Sequence, residues 1–180
     1  MKKNVDFSRT DFKRKKGGNI IPALCNIFGI AILVGVILLL IPITVPKFAG
    51  YEVYNVVSPS MEPSIPMGSL VIVKPTDGPE LEIGDVAAFR GGESVIAHRV
   101  TANRVIEGEL STKGDANEEE DINPVPYSNL VGRVERSIPR LGTLMSYLTT
   151  LLGKAYLLLV ISCGVMFNML ASRLRKSRKT

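Results

Sequence analysis

A chain of 180 residues has room for one folded domain and a pair of membrane segments, and not for two independent cores. Hydrophobic residues make up 46% while aromatics reach only 6%, which argues against an ordinary soluble protein and for long aliphatic spans. The net charge of +5 sits in the tails, where residues 1–16 and 173–180 together carry +10 against −6 for residues 47–143, so a basic nucleic-acid-binding face is excluded.

Taken in chain order, residues 1–19 form a basic tail, followed by an uncharged run from Gly17 to Pro46. Its centre, Ile30 to Ile41, is long enough with its flanks to cross a hydrocarbon core of ~30 Å, which predicts a first transmembrane helix over 20–46. A cleaved leader is the poorer reading, because the apolar run is too long and Lys47 interrupts the small-residue pattern before Ala49. A second uncharged run, Ala155 to Ala171, is near the lower length limit for a span and borrows length from Leu141 to Gly153. That extension takes Lys154 into the helix, with its ammonium snorkelling to the interface. The expected second element is therefore 141–172, a transmembrane helix with a preceding interfacial segment, and 173–180 is a second basic tail.

Basic tails beside apolar spans follow the positive-inside rule, so both termini are expected in the cytoplasm and residues 47–140 outside it. Cys25 and Cys163 both fall in the spans, which leaves the exported part without a disulfide.

Between the spans, short β-branched or alternating runs are separated by Gly, Pro, Asn and Asp, the pattern of a small folded β-sheet or barrel. The predicted strands are Tyr51 to Val57, Ser69 to Lys74, Val86 to Phe89, Ser94 to Thr101, Arg104 to Glu107 and Leu130 to Glu135, with Gly91-Gly92 as a hairpin turn. The acidic run Glu118 to Asp121 reads as a solvated loop, since it lacks the ligand spacing and glycine of a calcium loop. Nothing in the pattern calls for a metal or cofactor.

His98 is the chain's one histidine, in the strand-like run Val95 to Val100, and is the side chain best suited to proton transfer near neutral pH. Three serines stand in Val57-Ser-Pro-Ser-Met-Glu-Pro-Ser64, where Pro59 and Pro63 bias Ser58 and Glu62 to extended backbone. Such a loop can hold a hydroxyl in one orientation for a neighbouring base.

Four ordered blocks carry a resemblance: Ser58-Pro-Ser-Met-Glu-Pro63, Ile83-Gly-Asp-Val-Ala-Ala-Phe89, Ala97-His-Arg-Val100, and Thr112-Lys-Gly-Asp-Ala-Asn117 leading to Asp121. From about Tyr51 to Val134 the chain resembles the type I signal peptidases, in the Ser/His subtype found in the endoplasmic reticulum, archaea and some Gram-positive bacteria. The resemblance implies a mainly β catalytic domain flanked by two transmembrane helices. It also implies Ser60 as nucleophile, His98 as general base and Asp121 orienting the imidazole, with Asp115 as rival to Asp121. The Ser60 amide and the Ser58 hydroxyl would hold the oxyanion. Ala116 stands where many members have asparagine, and Gly68-Ser69 where Gly-Asp is common. The implied substrates are signal-peptide-bearing precursors, and the implied setting is a cell membrane, or that of the endoplasmic reticulum, with lipids and accessory membrane subunits as partners. Met61 and other apolar loop residues are expected at the membrane interface. Two other readings remain open on sequence: a self-cleaving Ser/Lys protease using Lys113, and a non-catalytic two-span scaffold whose acidic β domain docks partners.

Overall fold

The structure, a computed structural model, describes residues 20–177, so the first basic tail and residues 178–180 lie outside the described residues. Helix α1 runs Ile20–Phe48 and carries Pro42 and Pro46 inside it. A β-sheet follows, then helix α2 at Leu141–Thr149 and helix α3 at Leu151–Ser177. Both α1 and α3 are long and apolar enough to cross a membrane. The protein is thus a mainly antiparallel β domain between two long apolar helices.

The helices pack on each other through small residues. A side chain at Gly29 would meet Gly164 O at 2.8 Å and the Asn168 amide at 2.7 Å, so the two backbones approach where only glycine fits. Asn168 Nδ2 donates to Gly164 O, 3.1 Å away and one turn back, which satisfies a polar group in an apolar helix. Cys25 and Cys163 are unbridged, half-buried members of these helices. Thr150 breaks the helix between α2 and α3, so Lys154 lies in the first turn of α3 rather than in its middle. α3 continues through the basic residues Arg173, Arg175 and Lys176 to Ser177.

Among the described residues, seven strands build one antiparallel sheet: β1 Glu52–Asn55, β2 Leu70–Lys74, β3 Val86–Gly91, β4 Ser94–Arg104, β5 Glu109–Lys113, β6 Val125–Pro126 and β7 Leu130–Ile138. Their order is β1-β2-β7-β3-β4-β5-β6. The β3–β4 hairpin turns at Gly92, whose φ of 66° suits glycine. The run Arg104 to Glu107 is not a separate strand: β4 continues through Arg104, the chain turns over residues 105–108, and β5 returns over residues that the sequence pattern left unassigned. Val105 and Ile106 supplied the misleading β signal. They are 55% and 98% exposed at the turn, where Gly108, at φ 72°, donates its N–H to Arg104 O.

Side-chain alternation along β3 divides the core in two. Ala87 and Phe89 join Leu81, Val100, Leu110 and Val125 on one face. Ala88 joins Val71, Val73, Met61 and Ile65 on the other. Met61, expected at a lipid interface, is only 2% exposed and fills this second core. Burying a methionine contributes ~1.5–3 kcal/mol, enough to anchor the serine loop by the residue next to Ser60.

Candidate active site

The four blocks meet in space. β4 carries Ala97 to Val100 beside β3 and the second block, and β5 carries Thr112 and Lys113 beside β4. The first block joins through Ser60, whose carbonyl accepts the Ala116 N–H at 2.9 Å. Arg99 Nη1 donates to Gly84 O at 2.7 Å and ties the second block to the third.

His98 is 9% exposed, with its ring edge-on to Phe89 at 6.2 Å between centroids. Its Nδ1 lies 2.6 Å from Asp121 Oδ2. The same carboxylate oxygen accepts the hydroxyl of fully buried Thr112 at 2.6 Å, and the Asp121 N–H returns a bond to Thr112 O at 2.8 Å. Thr112 therefore clamps Asp121 at both ends. A neutral imidazole donating from Nδ1 to a carboxylate keeps its lone pair on Nε2, the tautomer of a base.

Asp115 points elsewhere. Its two oxygens accept Arg99 Nε at 2.7 Å and Nη2 at 2.5 Å, a bidentate pair with the aspartate mostly buried. This bond to Arg99 holds the Asp115 carboxyl below the usual carboxylate range, against the opposing effect of burial. A guanidinium on the neighbouring strand is thus the partner of this carboxylate. Lys113 Nζ donates to Glu118 O at 2.9 Å.

Ser60 Oγ lies 3.2 Å from Ser58 Oγ and makes its hydrogen bond there rather than with His98. Ser60 lines a cavity of about 200 Å³ with Tyr54, Met61, Ala88 and Ala97. His98 and Asp121 line a second, wider groove of about 660 Å³, and Ile96 borders both. Continuing the register from Arg99↔Lys113 by one residue sets Gly114 opposite His98. A side chain at Gly114 would meet Ser60 O at 2.7 Å, so the missing side chain is what lets the serine loop close on the segment that follows β5.

Sequence reasoning missed Thr112 and Arg99 as members of the site. Their signal was position alone: each lies inside a quoted block, next to a residue assigned a role.

The architecture and the site together describe a β domain held between two membrane-type helices, with a carboxylate–imidazole pair and a serine loop on adjoining clefts. Among curated proteins, the chain is similar to signal peptidase I W of Bacillus subtilis (strain 168), 38% identical over 90 residues. The match covers 47% of this chain and 47% of that protein, so it spans about half the length of the curated relative. It supports a relationship to signal peptidase I. No protein-family model matches the chain.

Proposed function

We propose that the protein is a membrane-bound signal peptidase of the Ser/His kind, removing signal peptides from exported precursors. The observation that carries this reading is the 2.6 Å contact between His98 Nδ1 and Asp121, made while the rival carboxylate is held by Arg99. The partial likeness to a signal peptidase and the two apolar helices support it.

In the proposed reaction Ser60 Oγ leaves Ser58, donates its proton to His98 Nε2 and attacks the scissile carbonyl. Asp121 keeps the imidazole in the required tautomer and stabilises the imidazolium. The Ser60 N–H and Ser58 hydroxyl stabilise the oxyanion. Collapse expels the amine with the proton from His98, leaving an acyl-Ser60 ester. A water molecule, deprotonated by His98, then hydrolyses it. Serine–base contacts that are long in a free enzyme commonly tighten around substrate. Ala88 and Ala97 beside Ser60 suit small side chains before the cut bond.

With both termini in the cytoplasm, the β domain works on the opposite face of a cell membrane. Accessory membrane subunits fit the same arrangement. A tethered enzyme and a tethered substrate meet at high effective concentration in that plane. The test is covalent labelling of Ser60 by a serine-directed phosphonate, with precursor cleavage followed in parallel. The expected result is labelling and cleavage in the wild type and neither in Ser60→Ala. Unchanged cleavage by purified Ser60→Ala overturns the reading.

A further inference from the structure

We propose that a groove beside α2 is a separate binding subsite for the uncharged stretch of a precursor between its membrane helix and the bond to be cut. This rests on the reading that Ser60 cleaves membrane-held precursors.

α2 is fastened across one end of the sheet: Asn55 Nδ2 donates to Ser146 Oγ at 2.8 Å, and the Thr143 N–H donates to Gly68 O at 3.0 Å. Between α2 and the chain leaving β1 lies a groove of about 350 Å³, bordered by Asn55, Val57, Met67, Thr143, Ser146 and Tyr147. Among the described residues, none that lines it is charged. Val57, Met67 and Tyr147 are 78%, 58% and 68% exposed, so apolar surface faces open space here.

Three features choose the occupant. The groove adjoins the Ser60 cavity, since Asn55, Val56 and Val57 line both. At its other side, α2 passes through Thr150 alone into the apolar helix α3, so the groove lies beside the element proposed to enter the membrane. The lack of charge suits an uncharged chain, and acidic or basic segments would lose hydration there without gaining a partner. A nine-residue helix is ~14 Å long, which matches about four residues of extended chain.

The test uses the full-length Ser60→Ala protein in lipid vesicles with a photoreactive benzophenone side chain at position 147. A second protein carries it at Ile106, on the exposed β4–β5 turn, as control. The probe is a synthetic precursor with an apolar helix, a short uncharged spacer and small residues before the cut. The expected result is a crosslink from position 147 to the spacer, with little from position 106. Tyr147→Lys in the active enzyme should raise KM for this precursor roughly fivefold or more, and leave KM unchanged for a short peptide lacking the spacer. If the wild type cleaves the precursor but position 147 crosslinks nothing, or only residues beyond the cut, the groove proposal falls and the protease reading stands. If the wild type neither cleaves the precursor nor reacts at Ser60, both fall.

Discussion

Gly114→Ala tests whether the approach of the serine loop to the segment after β5, beside the histidine strand, is built into the backbone. Gly114 lies outside the left-handed region that favours glycine, so the substitution acts through contact. The added methyl would stand 2.7 Å from Ser60 O and 2.8 Å from the Asn117 amide, where ordinary contact begins at 3.4 Å. Asn117 can swing aside. Ser60 O cannot do so without moving the main chain of the proposed nucleophile, and the deficit to be relieved is about 0.7 Å. A misplacement of ~1 Å can cost about a hundredfold in rate, so a loss of roughly 10- to 100-fold is expected, with a stability cost of about 1–3 kcal/mol. Single-turnover cleavage in detergent micelles measures the chemical step, and thermal melting shows that the domain remains folded. Gly35→Ala, with nothing within 4 Å, is the control and should match the wild type. Cleavage by Gly114→Ala within threefold of the wild type would refute the argument that this contact positions Ser60.

Other outcomes follow from the same geometry. Asp121→Asn should leave the melting temperature nearly unchanged but slow single-turnover cleavage by on the order of a thousandfold, as loss of a triad carboxylate does elsewhere; a near-normal rate removes Asp121 from the mechanism. Asp115→Asn should lower stability by about 1–3 kcal/mol near neutral pH, because it breaks a mostly buried charge-assisted pair, and urea unfolding measures it. Since the Asp115 carboxyl is held below its ordinary value, its contribution is complete above that value and disappears as pH falls through the lower folded one. The stability gap between wild type and Asp115→Asn should therefore be constant above about pH 5 and close below about pH 4; a gap that widens in acid contradicts the assignment. Burial, followed by its bond to Glu52, pushes the Tyr54 phenol up to about 12, so Tyr54→Phe should delete the last step of an ultraviolet tyrosine titration. Finally, a C-terminal tag should be digested when protease is added to sealed inverted membrane vesicles, and its protection there would overturn the proposed topology.

How much of this was legible in sequence depended on whether local chemistry or long-range contact decided it. The two apolar helices are written in composition, and the β3–β4 hairpin in turn chemistry, although its turn falls at Gly92 and Glu93, one residue on from the expected Gly91-Gly92. The 105–108 turn was misread because Val105 and Ile106 have strand propensity, whereas the turn is fixed by Gly108 and by the pairing of Arg104 with Glu109. Met61 was misplaced because an apolar residue in a Ser/Pro loop gives no local sign that a sheet face will cover it. The residues proposed for catalysis could be chosen from the ordered blocks. Which carboxylate meets His98 was decided by two residues to which the blocks gave no role: Arg99 takes Asp115, and Thr112 fixes Asp121.

The glycine-lined contact between α1 and α3 also acts at a distance. Because the β domain lies between these helices in the chain, their packing joins its two ends and turns about 100 residues into a closed loop. Closing a loop of that length removes on the order of 4 kcal/mol of conformational freedom from the unfolded chain, comparable with a disulfide of the same span. The helix pair thus serves as a non-covalent staple for a domain that has no cysteine of its own, and it works whatever the redox state of the surrounding compartment. A domain cut free at Phe48 and Thr150 would keep every strand and both cores, yet begin from a larger unfolded ensemble.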